Sequence, residues 1–311
     1  MKKKYLKWVL TLFLFTFLCF FFFKKINFSE VYTLLKNIEL KVVFISLLFG
    51  FILYFLSGLM LKISIKKLAS KEIKLYDAIF LPMTSSIFGI IIPKGGLFYQ
   101  SIILKKKYSV SYSNNISVFF LYYLLVVFIS LLLLLFFILL SDANKSYKLM
   151  FLLLIVFVIF LFFLGIKRTK LKKRKYYIIN LINSILNQLK YMFDDTFFLI
   201  KILLFSFARI LVRVAWYFFI VSSVNVDSGF LMSIILTIAY ELHSAFILIP
   251  GNFLVNEFVT SIILNYSGAE MFLGFFIESI LTITGWGIVF SFGIVGLLIN
   301  WQYLNIKNEK A

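Results

Sequence analysis

The chain is poor in most of what a soluble enzyme uses. Among 311 residues it has one cysteine, Cys19, one histidine, His243, and 13 acidic residues, and charged residues of both signs make up only 14%. A single cysteine excludes an intrachain disulfide and a redox pair. A single histidine excludes a His-pair metal site, and neither a Gly-x-Ser-x-Gly elbow nor a Gly-rich phosphate loop occurs. No catalytic constellation, cofactor site or metal site is legible. Proline is scarce as well, with three in the chain, so Pro93 and Pro250, each following an isoleucine, stand out.

Apolar material fills the space left by these absences. Hydrophobic residues make up 62% and aromatic residues 20%, including 41 phenylalanines. A soluble fold would lack the polar surface to cover itself. Runs of about 20 apolar residues can cross a hydrocarbon core of about 30 Å. We therefore expect an all-α polytopic membrane protein, one integral membrane domain over residues 1–311. The net charge of +19 is not a nucleic-acid signature. Its lysines and arginines sit in short clusters between apolar runs, where the cytoplasmic Lys/Arg bias and anionic headgroups account for them. No recognition-helix, zinc-ligand or RNA-binding aromatic pattern accompanies them. The basic start, Lys2 to Lys4, is followed by an apolar run to Phe23 with no small-residue cleavage site, so a retained first span is expected.

Apolar spans are expected over 7–23, 42–61, 115–140, 147–166, 199–224 and 271–299. The mixed segments 24–41 and 176–198 have the spacing of amphipathic interfacial helices. Lys62, Lys66, Lys67, Lys71 and Lys74 read as a basic loop, and 141–144 as a short turn. Two stretches, 77–104 and 228–264, carry breaks: Ile-Ile-Ile-Pro-Lys-Gly-Gly at 90–96 and Ile-Leu-Ile-Pro-Gly-Asn at 247–252. Proline removes a donor, and paired glycines tolerate φ > 0 and close backbone approach. If both stretches cross once, there are eight spans and two basic clusters fall on the wrong face whichever way the chain starts. If both are re-entrant hairpins, about six full spans remain. The N-terminus, 62–74, 105–107, 167–175 and the C-terminal tail then all lie in the cytoplasm. Lys24 and Lys25 are the exception, and can snorkel. This reading makes the chain an inverted repeat, halves about 1–140 and 146–311, with the breaks in matching places. Such breaks point to a transporter's central site; the plainer alternative is chance in Ile-rich helices.

The residues Lys94-Gly95-Gly96 with 104–112, and Ile249-Pro250-Gly251-Asn252 leading to Glu257, resemble the two motifs of the lysylphosphatidylglycerol synthase transmembrane-region family, also called flippase-like membrane proteins. The resemblance covers nearly the whole chain. It implies translocation of an amphiphilic lipid between leaflets in a bacterial inner membrane. The soluble aminoacyltransferase domain of the full-length enzymes has no counterpart here. The chain departs from the pattern at Phe98 and Gln100, where relatives commonly carry Gly and Arg. It departs again at Asn252 and Leu254 in place of glycines, and at Glu278 near where an Arg is often found.

Ionisable residues inside spans are costly and usually face an interior or a wet cavity. Arg209 and Arg213, four apart, share a helix face and can hold a phosphate bidentately, or can simply pair with glutamates. Glu241, Glu257 and Glu278 are the acidic candidates. Glu257 can meet an arginine or a cationic headgroup, or act only on the start of the returning helix. Glu241 and His243 approach Pro250 and admit a proton-coupling role, although a lone histidine is more often a satisfied buried group. Lys94, between Pro93 and the Gly95-Gly96 pair, can meet an anionic headgroup or snorkel. Asp77 reads as a helix-start residue. The substrate-binding set is thus Lys94, Gly95, Gly96, Arg209, Arg213, Glu241, Pro250, Gly251, Glu257 and Glu278. The expected function is translocation of a charged or glycosylated lipid, with a phospholipid or lipid-linked glycan as partner. The alternatives are a membrane component of an aminoacyl- or glycosyl-transferase system whose catalytic domain is another chain, and a non-transporting scaffold without a central cavity.

Overall fold

The computed structural model describes residues 27–92, 94–140, 177–224, 229–246 and 255–304. The expected spans over 7–23 and 147–166, the turn at 141–144, the basic stretch 167–175, Cys19, Pro93, Pro250 and Gly251 lie outside the described residues. Within them the chain is all-helical: α1 (Phe28–Lys36), α2 (Leu40–Ala69), α3 (Leu75–Ile91), α4 (Gly95–Tyr108), α5 (Tyr112–Leu140), α6 (Tyr177–Phe193), α7 (Thr196–Ser223), α8 (Gly229–Phe246), α9 (Val255–Tyr266) and α10 (Met271–Asn300), closed by a 3-10 turn at Trp301–Tyr303. Among the described residues three helices are long and apolar enough to cross a membrane: α2, α5 over Tyr112–Phe136, and α10 with the turn after it.

The mixed segments form the amphipathic helices α1 and α6. The expected basic loop is a correction. Lys62, Lys66 and Lys67 sit in the last turns of α2, which ends only at Ser70 in the left-handed region (φ 53). Lysine is a good helix former, cations suit a helix C-terminus, and Ile65 keeps a fully buried face there.

The first break does turn the chain back on itself. α3 and α4 run antiparallel, touching near the tip, where the Phe88 and Tyr99 rings stack at 4.6 Å, and at the mouth, where Lys107 Nζ donates to Asp77 Oδ1 at 2.8 Å. The glycines serve close approach rather than unusual φ. Lys94 itself takes the left-handed conformation (φ 57), and Gly268 is the only positive-φ glycine among the described residues. A Cβ on Gly96 would lie 2.3 Å from the Ser85 carbonyl oxygen, and one on Gly95 2.6 Å from that of Phe88. Gly96→Ala should therefore push the two limbs apart at a cost of about 1–3 kcal/mol, read as a lower melting temperature in detergent micelles. An unchanged melt would mean the limbs are not packed this closely. Pro82, inside α3, does not end it. The donor it lacks would have met the Ala78 carbonyl, and α2 closes on that oxygen through Gly58, where a Cβ would sit 2.5 Å away.

Two further expectations need correction. Asp77 is more than a helix-start residue, and Lys107 is more than part of a basic cluster. Asp77 is fully buried, bonded by Lys107 and by the Tyr108 hydroxyl, and Lys107 reaches on to Asn300 Oδ1 at 3.0 Å. This knot ties both limbs of the hairpin to the end of α10. On α7, Asp195 caps the first turn by accepting from the Phe198 N–H at 2.9 Å and also bonds Lys67 of α2.

The Lys67 ammonium, and then the Phe198 N–H, hold the Asp195 carboxyl below its ordinary value. What this carboxylate contributes is therefore complete above the ordinary aspartate range and lost as pH falls through the lowered value. Asp195 in turn holds the Lys67 ammonium above its ordinary value. Asp195→Asn should therefore cancel the acid-side part of the stability profile that the pair supplies and also the part lost at strongly alkaline pH, leaving the slope near neutrality unchanged. A profile with the same acid limb would place that dependence elsewhere.

The helices pack in matched pairs. α2 lies on α3 as α7 lies on α8, α3 and α2 pack on α10 as α8 and α7 pack on α5, α1 rests on α10 as α6 rests on α5, and α2 meets α7 between them.

Candidate functional site

At the meeting of these pairs lies a cavity of about 460 Å³ to which α2, α3, α4, α5, α7, α8, α9 and α10 all contribute. Three cations and two carboxylates line it: Lys94, Arg209, Arg213, Glu241 and Glu278, with Gly96 at its wall. Five of the ten expected site residues are thus charged groups brought to one space from four separate segments. Gly95 packs the hairpin tip beside it. Glu257 is fully buried in the first turn of α9 and accepts from Thr282 Oγ1 at 3.2 Å, facing α10 rather than the cavity. Of His243 only the backbone, in α8, is described.

The i, i+4 spacing puts Arg209 and Arg213 on one face of α7, as expected, and both turn to the same carboxylate. Glu241 Oε1 lies 3.3 Å from Arg209 Nη1 and 3.5 Å from Arg213 Nε. One glutamate cannot neutralise two guanidinium groups. Aromatic faces take part of the remaining charge: Tyr122 lies 4.8 Å from the Arg209 guanidinium carbon, and Tyr240 4.1 Å from that of Arg213. The structural and ligand-binding readings of the pair are therefore compatible. The arginines are held by Glu241 and still carry excess charge.

Lys94 projects from the hairpin tip over the Tyr123 ring at 5.2 Å and the Phe119 ring at 5.7 Å. Among the described residues no carboxylate lies within ion-pair distance of it. It lines the cavity. Around the cavity several buried polar atoms lack a hydrogen-bond partner among the described residues: Nε of Arg209 and Arg213, Nε1 of Trp216, the Tyr122 hydroxyl and Oε2 of Glu278. Leaving such groups dry costs about 1–3 kcal/mol each, so they define a space for water or a polar ligand. The aromatic lining was hidden in the sequence by the abundance of aromatic residues. The available signal was Tyr122-Tyr123 inside an otherwise Leu/Phe/Val run, since a tyrosine hydroxyl in apolar surroundings needs a polar neighbour.

An apolar bundle with membrane-length helices and a net-cationic, aromatic-lined cavity at its centre defines an integral membrane protein with an internal polar site. The chain belongs to the lysylphosphatidylglycerol synthase TM region family, whose model matches residues 8–293. It is thus a membrane protein of a family linked to lipid modification or transport. No curated protein and no solved structure matches it.

Proposed function

We propose that the protein is a lipid translocase that moves a lipid with a charged or glycosylated headgroup between leaflets of a bacterial inner membrane. The observation that carries this reading is the central cavity with three cations and two carboxylates. A headgroup phosphate would meet Arg209, Arg213 and Lys94, with Glu241 and Glu278 reaching its donors and the acyl chains remaining in lipid. The Gly95-Gly96 tip would shape the first hairpin beside it, with Glu257 at the α9–α10 contact. The presence of a cavity also counts against a scaffold. The matched packing of α1–α5 and α6–α10 supports the repeat, and the positions of the basic clusters support its inversion, with both termini cytoplasmic.

The test is transbilayer movement of fluorescent phosphatidylglycerol in reconstituted phosphatidylcholine vesicles. Removing one charge-assisted contact of about 1.5–3 kcal/mol should slow it about 10- to 100-fold in Arg213→Gln and in Lys94→Gln. Wild-type rates in both would refute the site. The synthase in the family's name favours a second reading, a membrane component serving a transferase on another chain. A catalytic partner that co-purifies, in the absence of lipid movement by the protein alone, would select it.

A further inference from the structure

Glu278 and Glu241 are both buried carboxylates on the cavity wall, but only Glu241 has arginines against it. Glu278, 1% exposed, receives two hydroxyl hydrogen bonds, from Tyr217 and from Thr260 at 2.9 Å, and both end on Oε1. Oε2 has no donor, and among the described residues no Lys or Arg nitrogen lies within ion-pair distance. A second acid is close. Thr260 stands three residues after Glu257 on α9, Thr282 four after Glu278 on α10, and each threonine bonds the other helix's glutamate. The two glutamates therefore lie about one turn apart along the α9–α10 contact, each bonded by a threonine of the opposite helix. Two such groups in an apolar interior do not both ionise without cost.

Other charged or titratable groups face Glu278 from the remaining elements. α7 supplies Arg213 and Tyr217, α8 supplies Tyr240 and Glu241, and α2 supplies Tyr54, all lining the same cavity or bonded to its wall. On α1, Glu30 is exposed and bonded by Asn27, and on α3, Asp77 lies by Asn300 at the far end of α10. Among the described residues Arg213 is thus the cation placed to support an ionised Glu278, through the helix face it shares with Tyr217.

We infer that Glu278 is a proton-binding site coupled to the arginine pair, so that an anionic headgroup and one proton enter the cavity together. An anion on Arg213 cancels the field that supports the carboxylate. Oε2, buried and without a donor among the described residues, then takes a proton delivered from water through the cavity that Glu278 lines, to give the neutral acid. By linkage the proton favours the anion to the same degree. Under the translocase reading, on which this coupling rests, a pH gradient can then drive the lipid.

The experiment is infrared difference spectroscopy of the full-length protein in nanodiscs at neutral pH, with calorimetry to record binding of short-chain phosphatidylglycerol. Lipid should produce a carboxylic-acid C=O band with uptake of a proton from weak buffer, and proton affinity should rise about tenfold. The band should vanish in Glu278→Gln and persist in Glu257→Gln. Tyr217→Phe, which deletes a donor to the ionised form, should show more of the acid at the same pH. Lipid bound with no band and no proton uptake overturns the coupling alone, as does a band lost only in Glu257→Gln. No lipid bound and no band overturns the translocase reading as well.

Discussion

Glu241→Gln is expected to destabilise the protein by about 3–5 kcal/mol, because it strands two buried guanidinium groups at once. Arg209 and Arg213 are about one-tenth exposed in their side chains and share this one carboxylate. The Tyr122 and Tyr240 faces offset part of the loss, at up to about 2 kcal/mol for a desolvated cation–aromatic contact, and so do not reverse the sign. Thermal unfolding in micelles measures the effect. Adding Arg209→Gln to Glu241→Gln should recover more than half of it, since one cation is then removed with its anion. A single variant that melts like the wild type would show that Glu241 is not the pair's counter-charge.

The second large effect is expected far from the cavity. Asp77→Ala removes the acceptor of both Lys107 and Tyr108 and leaves Lys107, 12% exposed in its side chain, without an anionic partner among the described residues, with the Asn300 oxygen and the Tyr76, Tyr108 and Tyr303 rings around it. Breaking a buried pair from one side costs about 3–5 kcal/mol. The damage should be local to the hairpin mouth, so proteolysis or hydrogen exchange should open α3 and α4 before the α9–α10 contact. Uniform loss of protection along the chain would mean that the knot is not what holds the hairpin to α10. The double variant Asp77→Leu with Lys107→Met, which removes both charges and keeps their bulk, should restore most of the stability.

Much of this was legible in the sequence, for reasons that are themselves physical. Membrane helices leave long apolar runs, so α5 and α10 were expected close to where they lie. A break in such a run is costly in lipid, so Pro93 and the glycines after it exposed the hairpin. The four-residue spacing of Arg209 and Arg213 on α7 needed only the pitch of a helix. What the sequence concealed was pairing between distant segments. Nothing local distinguishes Asp77, buried against Lys107 and Tyr108, from an ordinary first-turn aspartate. Lys62, Lys66 and Lys67 looked like a loop because charge marks the end of a span, whereas the helix continues for as long as one of its faces stays covered. Glu257 and Glu278 were both expected at the site. Only the packing of α9 on α10 shows one turned to the helix interface and the other to the cavity.

The left-handed backbone of Lys94 carries a trade-off within a single residue. A non-glycine side chain in that conformation costs about 1–2 kcal/mol, a penalty that glycine escapes. Selection for thermal endurance alone would therefore favour Lys94→Gly, which relaxes the hairpin tip and deletes the cavity's one cation without an acidic partner among the described residues. If the protein works on an anionic lipid as proposed, selection for that work would reject the same change. Variants recovered under the two regimes should diverge first at this position, with the sturdier lineage the idle one.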